Sequence, residues 1–427
     1  FFRKVDNVVY MAQKYRQINM MGLAIGDNCA ITIDNLEFKR RFICEVVERY
    51  SKVPGIIYYL NGDLVVTLTP DLQPDYTRFL REKYRTDEAL CNAYGRQELT
   101  IDGMQLDCDY MLRAASWSDV HSDDIQRFRL HLVSRWIHVL AKTVRDRAGN
   151  EKAVLCEFYS WPSEMVDVTT LTDDLTYSNI GYFDPGPQYT RFLATTDQRF
   201  RGKSMGVGEF GRITHPQARR AFWYHHIGVS RQTNRNNFFH IINTTLAMGG
   251  SHAQLWIHNE GTRLVPTMSV NYLADRVHRE LYFWYRNACL FTRGLVPVYS
   301  APQTAVLMAD STRLSASEYP FHGHFATQGA FDILHKTGIG ELIAVNDSHL
   351  LIDDAVRVIF YPLAYDVPDA VYEQLLQWVK RGGVLYISGD FAYDQSKQRT
   401  KGERLAELAG VETVKCVYAG IDFAVST

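Results

Sequence analysis

From about residue 17 to residue 258 the sequence keeps returning to one unit, a short apolar run followed by a longer stretch with apolar residues at helical spacing. Short apolar runs of four to eight residues read as strands buried on both faces, and runs with a 3.6-residue period read as amphipathic helices. Val5–Tyr15 has the helical pattern, with Val8, Val9, Met11 and Ala12 in phase. Gln17–Gly26 then reads as a strand, Phe38–Val53 as a helix with Phe42, Ile43, Val46 and Val47 on one stripe, and Ile56–Leu60 as a strand. After two short helical segments, Asp75–Tyr84 and Thr86–Tyr94, a long helix is expected over Asp123–Arg147. Ala153–Tyr159, Thr176–Phe183, Ser204–Phe210 and Ala253–His258 are the next strands, the last preceded by a mainly helical Ala221–Met248. Six strands separated mostly by helices are parallel strands, because a crossover helix returns the chain to the same end of the sheet. No GxGxxG or P-loop pattern stands where an open nucleotide-binding sheet would carry one. The expectation is therefore a (β/α)8 (TIM) barrel whose first strands precede Phe1, since the sequence opens with neither a methionine nor a signal peptide.

A helix over Val270–Arg293 leads to Pro297–Pro302, where a boundary is expected. Residues 1–297 would form the barrel and 302–427 a smaller α/β domain. Its strands are Thr304–Ala309, Glu341–Asp347, Val356–Pro362 and Gly383–Ser388, with a helix over Pro368–Arg381 that Gly382-Gly383 ends. With 427 residues, two cores are the expectation. A net charge of −2 gives no electrostatic case for nucleic acid or an anionic membrane surface, and no apolar run approaches the roughly 18–20 residues of a membrane helix. The seven cysteines are an odd number with no CxxC pair, so neither a disulfide framework nor a zinc site is indicated, and reduced thiols in a cytoplasmic setting are expected. The 25 tyrosines, 22 phenylalanines and 7 tryptophans suit either a packed core or a sugar cleft, which uses aromatic faces with polar tips.

In a barrel of this kind the active site lies at the C-terminal ends of the strands. Reading those ends gives Asn61-Gly62-Asp63 after one strand and Gly208-Glu209-Phe210-Gly211 at another. Two carboxylates at one mouth are what glycoside hydrolysis needs, one to attack or to activate water and one to protonate the leaving oxygen. Glu209 and Asp63 are the catalytic candidates. Asn61, Trp161, Tyr182, Trp256 and Asn259 are candidates for binding the sugar, each also readable as a loop anchor or a packing residue. His225-His226 lacks a third ligand at metal spacing, so no metal and no organic cofactor is called for.

These strand ends resemble clan-A glycoside hydrolases, and the text around them is similar to the family-42 β-galactosidases. Residues 1–261 resemble that barrel from its second helix to its eighth strand. Phe79 to Gly95 (FLREKYRTDEALCNAYG) is similar to the segment after the family's fourth strand, and Gly202 to Glu209 (GKSMGVGE) to its seventh, where the nucleophilic glutamate sits. Tyr182, in Gly-Tyr-Phe-Asp-Pro, looks like the tyrosine of the sixth strand. The resemblance implies a retaining β-glycosidase with Glu209 as nucleophile and a carbohydrate substrate. It also implies that residues from about 302 form a flavodoxin-like, class I amidotransferase-like domain that assembles a homotrimer. That domain should be structural, because Gly389-Asp390-Phe391 follows its last strand where an active amidotransferase would have a cysteine. At the fourth strand the family has Asn-Glu, with the glutamate as acid/base, whereas Asn61 is followed here by Gly62 and then Asp63. At the eighth strand the family's tryptophan falls near Asn259.

Overall fold

The computed structural model describes residues 2–23, 32–60, 67–109, 120–158, 174–181, 204–210, 243, 250–255, 283–284, 286–288, 290–295, 298, 300–308, 322–339, 342–347, 354–364, 367–389, 391, 393–394 and 403–411. For residues 33, 157–158, 177–181, 204–210, 250–255, 308, 322–325, 328, 346 and 403 the description is of the backbone. The chain divides into two compact units, the first of residues 1–29, 34–65 and 134–299, the second of residues 30–33, 66–133 and 300–427.

The first unit holds a six-stranded sheet of β1 (Asn19–Gly22), β2 (Ile56–Tyr59), β3 (Val154–Phe158), β4 (Tyr177–Gly181), β5 (Ser204–Phe210) and β6 (Gly250–Leu255). The strands lie side by side in chain order, every neighbouring pair parallel. A doubly wound sheet reverses its order at a switch point, whereas six parallel strands in unbroken succession are the arrangement of a (β/α)8 barrel. Helices α1 (Phe2–Lys14), α2 (Ile33–Tyr50) and the later part of α5 (Val120–Ala148) belong to this unit. The expected stripe of α2 is buried, with Ile43, Val46 and Val47 at 2% exposure or less. On α1 only Val9 and Ala12 are buried, while Val8 and Met11 stay exposed. Trp136 of α5 is fully buried, and the buried Lys39 of α2 holds its ammonium 5.3 Å from the centre of that ring, a cation–π contact strengthened by the loss of water.

Two expectations need correction. Ile56–Leu60 is not buried alike on both faces, because Ile56, Tyr58 and Leu60 are buried whereas Ile57 and Tyr59 are half-buried. Strand β6 begins at Gly250, three residues before the expected Ala253, since Gly250 pairs with Met205 and is held in the ladder despite its weak strand propensity.

The second unit contains α3 (Gln73–Tyr84), α4 (Asp87–Tyr94), the first part of α5 and a four-stranded parallel sheet. Thr86 caps α4, its hydroxyl accepting from Ala89 N at 3.2 Å, and Gly95 closes it in the left-handed conformation. Tyr76 and Phe79 of α3 pack on Phe128 of α5 with ring centres 5.1 and 5.6 Å apart. The sheet comprises β7 (Thr304–Met308), β8 (Leu342–Asn346), β9 (Val358–Tyr361) and β10 (Val384–Ile387), in the order β10-β9-β7-β8. Read from the other edge this is 2-1-3-4, the flavodoxin-like order. Helix α6 (His322–Thr337) follows β7, α7 (Asp369–Lys380) precedes β10, and α8 (Glu403–Ala409) comes last. Neither α6 nor α8 stands out in the sequence. Gly323 and Gly329 interrupt α6, and its burial rests on few apolar residues, among them Phe331 and Leu334.

The loop after β10 is laced to the loop after β9. Ser388 Oγ accepts from Leu363 N at 3.0 Å, Ser388 O from Ala364 N at 2.8 Å, and Ala364 O from Phe391 N at 3.0 Å. Between them Gly389 adopts φ +107°, where an added Cβ would stand 2.6 Å from Ala364 O. Only glycine satisfies both conditions. Gly389→Ala is expected to destabilise this unit by about 1–3 kcal/mol, read as a lower denaturation midpoint; a midpoint equal to wild type would show that the loop is not held as described.

Among the described residues no helix is long and apolar enough to cross a membrane. Cys44, Cys91, Cys108 and Cys156 are free thiols.

Candidate active site

Side chains alternate along a strand, and residues paired across a parallel ladder share a face. The pairings of the six strands therefore sort their residues into two sets. One set contains Asn19, Met21, Ile56, Tyr58, Val154, Cys156, Phe158, Ser178, Ile180, Met205, Val207, Phe210, Gly250, Ala253 and Leu255. It is mostly apolar. Its members with described side chains are buried, Tyr58 completely, except the half-buried Asn19 at the start of β1, and burial pushes the Tyr58 phenol up to about 12. This is the set expected to pack under the surrounding helices of a barrel.

The other set is different in kind. It contains Met20, Gly22, Ile57, Tyr59, Leu155, Glu157, Tyr177, Asn179, Gly181, Ser204, Gly206, Glu209 and His252. Glycine and polar residues gather in it toward the C-terminal ends of β3 to β6. Met20 is 38% exposed and Ile57 and Tyr59 are half-buried, so where exposure is described this face is the more open one, Leu155 apart.

Glu209 enters this set through an irregularity. Ile180 pairs with Val207, but the next residue, Gly181, pairs with Glu209, so Gly208 is an extra residue in β5. The ladder with β6 slips at the same place, between Val207 and Phe210. Without the extra residue Glu209 would follow the alternation of Val207 into the apolar set. The bulge moves it into the other. Bulges recur beside active sites, where they change the direction of a strand residue. The glycines around it fit the same reading. Gly181 is its partner on β4, and Gly206 precedes it on its own face. Glycines at such positions leave room for a ligand to approach the backbone.

The strand ends bracket the other sequence candidates. Leu60 follows β2 and donates its N–H to Leu155 O at 2.8 Å. Asn61 comes next, Trp161 stands three residues past β3, Tyr182 directly follows β4, and Trp256 directly follows β6. Asn61, Asp63, Trp161, Tyr182, Trp256 and Asn259, like His225-His226, lie outside the described residues. Among the described residues no group of three or more His, Cys, Asp or Glu is arranged to hold a metal ion.

The register adds residues that reading strand ends had missed. Glu157, Asn179, Gly206 and His252 form one row across four adjacent strands, on the face to which Glu209 belongs. The signal was present in the sequence, because a glutamate inside a short buried parallel strand is out of place unless something requires it.

No protein-family profile and no curated protein sequence matches the chain. Solved structures do resemble it. A β-galactosidase from the Antarctic haloarchaeon Halorubrum lacusprofundi superposes with a TM-score of 0.75 at 13% identity, covering 98% of this chain and 70% of that one. A catalytic mutant of a GH42 β-galactosidase from G. stearothermophilus gives 0.73 at 12% identity, over 97% and 65%. A GH42 exo-carrageenase from Bacteroides ovatus gives 0.58 at 11% identity, over 86% and 54%. The chain thus spans roughly two thirds or less of the length of most of these structures and shares their fold.

Proposed function

We propose that the chain is a glycoside hydrolase, a retaining β-glycosidase of β-galactosidase type acting on oligosaccharides. The observation that carries this reading is Glu209, set by a glycine bulge on the polar face of a sheet whose fold is that of GH42 β-galactosidases. In this reading the Glu209 carboxylate attacks the anomeric carbon and the glycosidic C–O bond breaks. A second carboxylate gives its proton to the leaving oxygen, then takes one from the water that releases the sugar. Asp63 is the sequence's candidate for that second group. Asn61, Trp161, Tyr182, Trp256 and Asn259 contribute hydrogen bonds and aromatic surface to the sugar. No metal or organic cofactor is needed for these steps. Residues from about 302 onward form the assembly domain of a homotrimer, which sedimentation would reveal as three times the monomer mass.

Gly62 favours a second reading. It stands where the resembled family has its acid/base glutamate, so the barrel would bind carbohydrate, or serve assembly, without cleaving it. A panel of aryl β-glycosides separates the two. Turnover is expected, and the preferred aryl glycoside names the sugar. A folded protein that binds sugars and turns over none of them would sink the first reading in favour of the second.

A further inference from the structure

Within the six strands of the first unit there are two acidic residues, Glu157 and Glu209. Each is the penultimate residue of its strand, Glu157 in Val154–Phe158 and Glu209 in Ser204–Phe210. The pairings place both on the same face, and that face is the one enriched in glycine and polar residues. Strand β4 alone separates them. Its two residues between them on that face are Asn179, paired with Glu157, and Gly181, paired with Glu209.

We propose that Glu157 is the second catalytic carboxylate, the general acid that works with Glu209. The proposal rests on the glycosidase reading above and deepens it.

A carboxylate is costly in a buried strand unless it is paired or used. A flat sheet would put the two glutamate backbones about 12 Å apart, two strand spacings across and two residues along, and the curvature of a barrel shortens that span. In a retaining enzyme the two carboxyl groups stand about 5–5.5 Å apart, a separation that the length of two glutamate side chains so based allows. Asp63, by contrast, lies four residues beyond the end of β2 and has a side chain one methylene shorter. Gly206, on the row between Asn179 and His252, has no side chain to fill the space over the sheet beside Glu209.

The chemistry balances without a further reactant. The protonated Glu157 carboxyl gives its proton to the glycosidic oxygen as that oxygen leaves carbon. Glu209 forms the ester to the anomeric carbon. Water then attacks that carbon, its proton passes to Glu157, and Glu209 is released as the carboxylate.

The test compares leaving groups in Glu157→Gln, in Asp63→Asn and in wild type. An acid matters most when the leaving oxygen is basic. Glu157→Gln is expected to lower kcat/KM for an alkyl β-glycoside by about 10²–10⁴-fold and for a dinitrophenyl β-glycoside by less than about tenfold. Azide should then accelerate the dinitrophenyl reaction and give the β-glycosyl azide, because it needs no general base to attack the glycosyl ester. The alkaline limb of the pH–rate profile should disappear. Asp63→Asn is expected to affect both leaving groups alike, without azide acceleration. If Asp63→Asn shows the split and Glu157→Gln does not, the assignment of Glu157 is overturned while the glycosidase reading stands. If wild type is inert to every glycoside, the reading itself falls and the assignment with it. Should Glu157→Gln fail to fold, Glu157→Asp decides. Its shorter acid must move the alkaline limb, and an unmoved limb overturns the proposal.

Discussion

Glu209→Gln is expected to leave the protein folded and to lower kcat for aryl β-glycosides by a factor on the order of 10⁴–10⁶. The amide has nearly the shape of the carboxylate, so the bulge around Gly208 should persist. What it lacks is the charge and the nucleophilic oxygen that forms the covalent intermediate. An activated leaving group offers no escape, because attack on the anomeric carbon fails however good that group is, and this separates loss of the nucleophile from loss of the acid. Glu209→Ala in azide should recover some turnover of a dinitrophenyl β-glycoside. The product should be the α-glycosyl azide, since azide then enters the vacated space and attacks directly, with one inversion. A Glu209→Gln variant with more than about a tenth of wild-type kcat would remove Glu209 from the role of nucleophile.

The largest effect on stability is expected at Asp124, in the second unit. This carboxylate has no solvent exposure and is the centre of a small network. It accepts a charge-assisted bond from Lys83, one from Tyr94 Oη at 2.6 Å, and contacts from Tyr84 Oη at 2.9 and 3.1 Å. Asp123 beside it lies 3.6 Å from Lys83 and accepts from Arg127 at 2.7 Å. Burial first, and the charge of Asp124 second, push the Tyr84 and Tyr94 phenols well above their usual range. Asp124→Ala takes the acceptor from a mostly buried ammonium, from the buried Tyr84 phenol and from the half-buried Tyr94 phenol. Removing one partner of a buried pair typically costs about 3–5 kcal/mol, because the groups left behind cannot return to water. Chemical denaturation monitored in this unit should show that loss, and a change below about 1 kcal/mol would mean the network is open to solvent. The phenols add an alkaline limit. Their folded values lie above the unfolded value near 10, so their contribution is whole below about pH 10 and is lost as pH rises beyond it.

Much of the fold was legible in the sequence, and the reason is physical. A strand buried in a parallel sheet and a helix with one apolar stripe leave distinct periodicities. Ser204–Phe210 was therefore found to the residue, and most other strand and helix ends to within a few. Hidden were the elements whose burial depends on few residues, such as α6 with its glycines, and the distinction between the two faces of β2. The site was legible only in part. Glu209 stood out because it ends a strand, but its place on the polar face depends on one extra residue, Gly208. That is visible only once β4 and β6 are laid beside it. Glu157 carried a signal in the sequence, a glutamate inside a short buried strand, but the face it shares with Glu209 is a property of the ladder and not of the string.

The sorting of the strands into an apolar set and a polar one has a consequence for descent. Residues of the mostly apolar face and residues of the polar face share the same strands but alternate along them, so selection can act on one set and leave the other in place. A lineage can exchange Asn179, His252 or Gly206 and so change the chemistry that face presents, while Tyr58, Val154 and Phe158 keep the architecture. Enzymes on this one scaffold can then drift toward quite different polysaccharides at almost no cost to folding, and sequence identity can erode far below the point at which the shape is lost.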